Sequence, residues 1–263
     1  MPQLTASPLA LVRKLGGVSL LTVRELGHMG LFLATALYYL VATPPKVRLL
    51  LKRILFIGFQ SIPLVVLAGT FTGMALAMQG YYSMIRFGST ALLGPMIAMA
   101  VVKELGPVIT GMMVTSRVGS AITAELGIMR IGDEINALIL MGLNPFRYLI
   151  VPTILAGIIC LPLLAAVFDV LGILGGYLIG VRLLGVPSGV YFGEMSGYLQ
   201  MSDIVGGTYK ALGLGVFITW IACFKGYFAG AGAEGVSKAT TQAVVLSSVV
   251  VLVWNYFMTS VIF

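Results

Sequence analysis

Five long apolar stretches dominate the pattern of hydrophobic and polar positions along this chain. Each reaches the roughly 20 residues that cross a bilayer as a helix, and several are longer, so tilted or extended helices are expected. In lipid the backbone must satisfy its own hydrogen bonds, which long uninterrupted runs do as helices rather than as barrel strands. The five predicted spanning helices cover residues 54–82, 91–118, 148–181, 204–226 and 240–262.

The segment that precedes the first stretch has a mixed pattern. Leucines alternate with charged residues across residues 8–42, which is typical of an amphipathic helix lying in the membrane interface. The charges disfavour a spanning helix here, and Thr43-Pro44-Pro45 is predicted to end the segment. A basic cluster suited to anionic lipid headgroups follows, formed by Lys46, Arg48, Lys52 and Arg53.

Residues 120–145 interrupt the apolar pattern between the second and third stretches. Gly132 breaks the preceding helix, and Asp133 is predicted to cap a new short one that ends at Gly142. Ile135, Leu138 and Ile139 fall on one face of this helix at helical spacing. So short a helix needs a surface to pack on. The spacing leaves two alternatives open, the chain's own bundle or a partner protein.

Composition assigns the chain to the membrane proteins. It is 59% hydrophobic and 10% charged, with a mean hydropathy of +1.05, which a soluble domain could not bury. The net charge of +7 fits positive-inside topology better than nucleic-acid binding, so no nucleic-acid partner is expected. Basic residues concentrate before residue 54 and in residues 117–147, which places both segments in the cytoplasm. With five spans, the C-terminus is then expected on the far side.

No catalytic signature is visible in the sequence. GxxxxGK[ST], HExxH and GxSxG motifs are missing, and His28 is the single histidine, so neither ATP hydrolysis nor a metal site is expected of this chain. Cys160 and Cys223 lie in apolar runs without CxxC spacing and are interpreted as buried free thiols. No cleavable signal peptide is expected at the N-terminus.

Polar residues inside the apolar runs are the candidate site. Glu104 lies in the middle of the second stretch, where an acid is costly and usually faces a cavity or a partner charge. Lys103 is adjacent and points about 100° away on a helix, so it is not a natural partner for Glu104. Asp169 is either a helix-to-helix hydrogen-bonding group or a pathway residue. Gln79 and Tyr81 fit an aromatic belt or the mouth of an amphiphile pocket.

Glycines four residues apart recur in the spans, as in Gly69 and Gly73, Gly172 and Gly176, and Gly226 and Gly230. Such ridges let helix backbones approach closely. The pattern alone does not distinguish packing within the subunit from dimerisation.

The residues from Ala124 to Pro152 read AELGIMRIGDEINALILMGLNPFRYLIVP, which resembles the signature of the MlaE/YrbE family of ABC-transporter permeases. The similarity continues in KELGPV, SRVGSAITAE, GMALAMQGY and SKATTQAVVLSS and covers nearly the whole chain. The matching signature positions are Glu125, Gly127, Met129, Glu134, Ile135, Ala137, Leu138, Met141, Gly142 and Pro145. The chain has GDEINAL where the family often has TEQIDAL, so Asn136 removes one charge.

The resemblance implies an all-α polytopic membrane protein in which residues 1–263 form a single permease domain, with one interfacial helix and five spanning helices. It also implies a homodimer that works with a cytosolic ABC ATPase, which binds the ATP, and with an MCE-domain periplasmic protein. A small regulatory subunit on the ATPase is a further expected partner. No cofactor is expected in this chain. The implied location is the bacterial inner membrane, with the N-terminus cytoplasmic and the C-terminus periplasmic.

The resemblance also assigns site residues. A central cavity between the two permease subunits is expected to hold phospholipid, lined by Leu76, Gln79, Tyr81, Lys103 and Glu104. The cytoplasmic segment at residues 120–145 is expected to seat in the ATPase. Its predicted coupling residues are Glu125, Gly127, Met129, Arg130, Glu134, Leu138 and Met141. Two alternatives remain open, the import of sterol or another hydrophobic compound and a membrane scaffold that does not transport. A lipid enzyme would need a catalytic cluster, which the sequence lacks.

Overall fold

The structure, a computed structural model, describes the backbone of residues 8–42, 46–86 and 88–262. It describes side chains from residue 20 onward within these ranges, except residues 21 and 22. The described residues fold into helices joined by short turns, which confirms the predicted all-α polytopic fold. In chain order they are α1 (Pro8–Ala42), α2 (Val47–Ile85), α3 (Thr90–Ile131), α4 (Glu134–Leu140), α5 (Phe146–Leu183), α6 (Ser188–Tyr198), α7 (Met201–Tyr227) and α8 (Gly232–Ile262).

Five of these helices, α2, α3, α5, α7 and α8, contain the five predicted spans and extend beyond most of them. Consecutive spans run in opposite directions, so the segments that connect them alternate between the two ends of the bundle. The α4 end carries α4, the start of α5 and the turn between α7 and α8. The α6 end carries α6 and the C-terminal residues of α8. The break predicted at Thr43–Pro45 lies outside the described residues.

Helix α1 packs against the α4 end of the bundle. Its buried face consists of Met29, Phe32 and Ala36. The Phe32 ring lies 5.0 Å from that of Phe146 and 5.6 Å from that of Phe224, at the ends of α5 and α7. The part of α1 from residue 23 to 42 has the length and hydropathy of a span, although its hydropathy of 1.2 is the lowest of the six such helices described. The described residues thus contain six helices with the length and composition of a span where five were predicted, and the interfacial position of residues 8–42 stays a prediction.

The centre of the bundle is the contact between α2 and α5, which glycine makes possible. A Cβ atom at Gly73 would overlap the carbonyl oxygen of Gly172, and one at Gly69 would lie 2.9 Å from the carbonyl oxygen of Phe168. A Cβ atom at Gly226 would lie 2.8 Å from Thr123 O on α3. These small-residue ridges therefore serve packing within the subunit.

Helix α6 has no counterpart in the predicted elements. Tyr191 anchors it to the bundle, because this side chain is fully buried and donates a hydrogen bond of 3.1 Å to the carbonyl oxygen of Ile173 on α5. Burial raises the pKa of the Tyr191 phenol to about 12, so the group keeps its proton and remains a donor. The short helix is thereby fixed at the α6 end.

Three of the long helices are irregular at positions that carry polar side chains. Helix α3 contains π-helical turns at Val101–Leu105 and Thr115–Gly119, and α2 is interrupted by a 3-10 turn at Phe59–Ser61. A π-helical turn inserts a residue into the helix and shifts the direction of the following side chains, and such turns are frequent at functional sites. Helix α5 has π-helical turns at both ends, Phe146–Ile150 and Leu178–Leu183.

Candidate functional site

Two ion pairs join α3 to α7 in the α6 half of the bundle. The first π-helical turn of α3 presents Lys103 and Glu104, and each meets an oppositely charged residue of α7. Lys103 Nζ lies 3.0 Å from Asp203 Oδ1, and Lys210 Nζ lies 2.9 Å from Glu104 Oε1. Asp203 and Lys210 are two helical turns apart, so they project from the same side of α7. As their spacing predicted, Lys103 and Glu104 do not form an ion pair with each other, and the structure assigns each of them a partner on α7.

Lys210 is the buried centre of this arrangement. Its side chain is 0% exposed. Besides Glu104, its ammonium group donates to the carbonyl oxygen of Lys103 at 2.7 Å and to the hydroxyl of Thr259 at 2.8 Å. An ammonium group has three protons to donate, and these three acceptors match them. A charge so far from water is stable only when it is paired and fully hydrogen-bonded.

Helix α8 completes the environment of Glu104. Asn255 donates its amide N–H to Glu104 Oε2 at 2.7 Å, and the Thr259 hydroxyl donates to Glu104 Oε1 at 2.9 Å. The Glu104 side chain nevertheless keeps 39% of its surface exposed. We call Glu104, Lys210, Asn255 and Thr259 the polar cluster. It binds three helices together and leaves one carboxylate accessible from outside the buried region.

Sequence reasoning identified Glu104 but missed the other members of the polar cluster. Lys210 carried a usable signal, because it is a lysine in the middle of the apolar run 204–226. Asn255 and Thr259 are polar residues of kinds common in membrane helices, and only the folded bundle distinguishes them.

No described hydrogen bond or ion pair joins the predicted cavity residues of α2 to the polar cluster. Leu76 and Tyr81 are half-buried and pack against the core, whereas Gln79 is exposed. Gln79 lines a groove of ≈ 430 Å³ with Tyr82, Ser83 and Arg86. The described contacts of Glu104 are instead with α7 and α8. Among the described residues, the groove lined by Gln79 does not include Glu104.

At the α4 end, the chain turns sharply between α3 and α4. Asp133 has a left-handed backbone, with φ of 56°, at the first position before α4. The prediction that its side chain caps α4 is wrong, because the carboxylate makes no capping bond. It instead accepts a hydrogen bond of 2.7 Å from the side-chain amide of Asn136. The break at Gly132 is in the predicted place.

Helix α4 buries one apolar residue and exposes others. Ile135 is fully buried and Leu138 half-buried, but Ile139 points outward, so the predicted three-residue face only partly packs. Leu140 is 88% exposed and Met141 66% exposed. Apolar side chains this exposed at the end of a bundle favour contact with another molecule.

Comparison with known proteins identifies the family. The sequence profile described as Permease MlaE matches residues 50–261, which contain the polar cluster, α4 and all five long helices after α1. This chain belongs to the MlaE permease family. The resemblance drawn from residues 124–152 is thereby confirmed, and the chain is a multi-pass membrane protein of a family of ABC-transporter permeases.

Several relatives cover most of the chain. The "Intermembrane phospholipid transport system permease protein MlaE" of Haemophilus influenzae is 39% identical over 245 residues, 91% of this chain and 92% of that protein. A "Probable ABC transporter permease protein" of Rickettsia felis is 36% identical over 240 residues, 91% of this chain and 93% of that protein. Arabidopsis thaliana "Protein TRIGALACTOSYLDIACYLGLYCEROL 1, chloroplastic" is 32% identical over 206 residues, 78% of this chain and 59% of that protein.

The family's signature residues fall into two groups in this structure. Glu125, Gly127 and Arg130 make contacts within the chain. Glu125 accepts two hydrogen bonds from the Arg53 guanidinium, at 2.6 and 2.9 Å. A Cβ atom at Gly127 would lie 3.1 Å from the Val236 side chain, and Arg130 donates to the Asn136 side chain at 3.2 Å.

The second group lies on α4 and at the residues that flank it. Glu134 and Met141 are exposed, and Met129 and Leu138 are half-buried. The first group thus joins α4 and the end of α3 to the bundle, whereas in the second group only Glu134 and Met141 are exposed and Met129 packs against the core.

Arg117 is a further residue whose position sequence reasoning did not explain. It lies in the second π-helical turn of α3 and reaches the 3-10 interruption of α2. Its guanidinium donates to Ser61 Oγ at 2.7 Å, to Gln60 Oε1 at 2.9 Å and to the carbonyl oxygen of Phe56 at 3.4 Å. Two irregular turns on neighbouring helices are thus held together by one planar, multivalent donor.

Of the two alternatives predicted for Asp169, helix-to-helix hydrogen bonding is not observed at Oδ1, and the pathway role stays a prediction. Its buried Oδ1 atom has no hydrogen-bond partner among the described residues. It packs directly against Gly106, the residue that follows the first π-helical turn of α3, and leaves no room for a Cβ atom there. The free thiols predicted for Cys160 and Cys223 are confirmed, and both are buried.

Proposed function

We propose that this chain is the membrane permease subunit of an ABC transporter that moves phospholipids between the inner membrane and an MCE-type periplasmic carrier. A separate cytosolic ATPase binds and hydrolyses the ATP. The observation that carries this proposal is the polar cluster, a partly exposed carboxylate held by a fully buried ammonium group within otherwise apolar helices. Membership of a family that includes a protein named as a phospholipid transport permease supports it.

A phospholipid needs an apolar space for its tails and a few polar groups near its head. In this proposal a second copy of the chain faces α2 and α8, and the homodimer encloses a cavity between the two subunits. Leu76 and Tyr81 contact the tails. Gln79, Lys103 and Glu104 lie near the headgroup. The exposure of Gln79 and the partial exposure of Glu104 support this arrangement, because both side chains are accessible to a second chain.

Charge balance at this site favours weak holding of the lipid. Lys103 is neutralised by Asp203 and Glu104 by Lys210, so the region carries no net charge from these four residues. A carboxylate near a phosphate is repulsive, and the buried Lys210 offsets that repulsion. We infer that the cavity binds the headgroup loosely enough to release it to the carrier.

Helix α4 is the proposed docking element for the ATPase. The exposed side chains of Leu140 and Met141 fit a groove in a partner better than contact with water. Movement of α4 would reach the bundle through α3, where the Arg53–Glu125 and Arg117–Ser61 contacts connect it to α2. A small regulatory subunit on the ATPase remains part of the proposal.

The proposed orientation places the α4 end in the cytoplasm and the α6 end in the periplasm, where the MCE protein binds. Basic residues at the α4 end include Lys46, Lys52, Lys225 and Lys238, and this excess follows the positive-inside rule. The N-terminus is then cytoplasmic and the C-terminus periplasmic in a bacterial inner membrane.

Lipid analysis of the chain purified with its ATPase tests the function. Phospholipid is expected to co-purify with the unmodified chain, and Leu76→Trp and Glu104→Ala are expected to lower the amount. Arg182→Gln, an exposed change at the α6 end, serves as a control that should retain it. A bound sterol would favour the alternative cargo. Equal lipid in all variants, together with an intact complex, would favour a scaffold.

A further inference from the structure

A groove lies between α1 and α8 at the α4 end, on the part of α8 that precedes Asn255 of the polar cluster. It consists of two adjoining cavities of ≈ 370 and ≈ 420 Å³ that share Glu25, Lys225 and Gln242. Charged side chains and the rings of Phe224 and Phe228 together line the first cavity, whereas the walls of the second are almost entirely apolar. The groove is thus amphipathic along its length.

The polar end of the groove is positively charged. The Lys225 ammonium group forms an ion pair with Glu25 and lies 3.5 Å from the side-chain oxygen of Gln242. Lys238 and His28 line the same cavity. Both are exposed, and neither makes a side-chain hydrogen bond or ion pair within the part of the chain that the structure describes. Two ammonium groups therefore face a single carboxylate, which leaves positive charge for an anion.

The apolar end of the groove continues along α8. Val245 and Val249 lie one helical turn apart on its wall, and Leu26 and Met29 of α1 form the opposite side. From Lys238 to Val249 the groove follows eleven residues of α8, a rise of about 16 Å. That distance is close to half of the roughly 30 Å hydrocarbon core of a bilayer, so the groove has the length of one lipid leaflet.

We propose that this groove binds one anionic glycerophospholipid. The phosphate lies between Lys225 and Lys238, and one acyl chain lies between α1 and α8 along Val245 and Val249. A phosphate there satisfies the excess positive charge, and a chain there covers apolar walls that the subunit itself leaves open. The lipid fastens α1 to the bundle. That it comes from the cytoplasmic leaflet rests on the proposed orientation, whereas the binding itself does not.

Trp220 offers a reporter for the site, because its indole N–H donates to the carbonyl oxygen of Met29, a residue of the groove wall, at 3.1 Å. The only other tryptophan is Trp254, so Trp254→Phe leaves a single fluorophore. The full chain in this background is reconstituted in phosphatidylcholine vesicles that contain increasing fractions of a brominated lipid. Brominated phosphatidylglycerol is compared with brominated phosphatidylcholine as the quencher.

Half-maximal quenching is expected at a several-fold lower fraction of the anionic lipid. Lys238→Gln should bring the two curves together, whereas Arg48→Gln, the same charge loss at the same end but outside the groove, should not. Val249→Phe should weaken quenching by both lipids, and Val253→Phe, one turn further along α8, should leave it unchanged. Added glycerol phosphate should not compete, because the site requires an acyl chain.

Identical curves for the two headgroups would overturn the proposal, as would an equal effect of Lys238→Gln and Arg48→Gln, which would indicate general surface charge. Protection from quenching by added ATPase, in either lipid, would indicate that a protein occupies the groove. Native mass spectrometry of the chain with both tryptophans, delipidated and titrated with phosphatidylglycerol, checks the result if Trp254→Phe fails to fold. If the anionic lipid quenches preferentially but the complex does not transport phospholipid, only the proposed function is refuted. If the complex transports phospholipid but quenching shows no headgroup preference, only this binding site is refuted.

Discussion

Removing Glu104 from its ion pair with Lys210 is expected to destabilise the protein at least as much as removing both partners. Glu104→Ala leaves the fully buried Lys210 ammonium with two of its three acceptors, the Lys103 carbonyl and the Thr259 hydroxyl. A hydrogen bond to a charged group contributes about 1.5–3 kcal/mol. The free energy of unfolding should therefore fall by about 2–3 kcal/mol.

Lys210→Met is expected to have a smaller effect, about 1–2 kcal/mol, because a charge left unpaired is less costly where water can reach it. Glu104 keeps its hydrogen bonds from Asn255 and Thr259, and 39% of its side chain is exposed. The double variant removes both charges and should be no less stable than Glu104→Ala. The two changes are thus expected to couple by about 1–2 kcal/mol.

The unmodified chain, the two single variants and the double variant form a double-mutant cycle. Unfolding of each purified protein by SDS in mixed micelles, followed by circular dichroism, measures its free energy of unfolding. Glu234→Ala, which removes an exposed acid at the start of α8, serves as a control and should change stability by no more than about 0.5 kcal/mol. Additive effects of the two single changes, within about 0.5 kcal/mol, would refute the ion pair as a stabilising contact.

Three further predictions concern packing and coupling. Gly73→Ala should lower the unfolding free energy by about 2–3 kcal/mol, because its Cβ atom would overlap the Gly172 carbonyl oxygen. Gly193→Ala, a control with open space around it, should leave the unfolding free energy unchanged. Equal stabilities of the two variants in SDS unfolding would contradict the close α2–α5 contact. Arg117→Lys keeps the charge but loses the guanidinium hydrogen bonds to Ser61 and Gln60, so it should lower the unfolding free energy by about 1–2 kcal/mol. It should also reduce lipid transport by the complex reconstituted in vesicles, and full transport would argue against a coupling role. Leu140→Asp should leave SDS stability unchanged, because the side chain is exposed, yet abolish co-purification of the ATPase; an intact complex would remove α4 as the docking element.

The apolar pattern by itself determined where the long helices lie. A helix satisfies its hydrogen bonds within its own segment, so the length and hydropathy of each run are sufficient to predict a span. The same reasoning placed the break at Gly132 and identified Glu104 as an unusual intramembrane acid. Residues 124–152 were sufficient to indicate the family. The prediction that Asp133 caps α4 was wrong, because side-chain hydrogen bonds at a turn depend on the backbone conformation, and the backbone of Asp133 is in the left-handed region.

The partners of these residues were decided only by the tertiary structure. Glu104 meets Lys210, Asn255 and Thr259, which are 106, 151 and 155 positions further along the chain. Each residue turns a helix by about 100°, so one inserted residue in a π-helical turn redirects every following side chain. Which faces meet depends on the rotation and depth of each helix in the bundle. Close backbone contacts such as Gly73 with Gly172 set that geometry, and no local pattern encodes it.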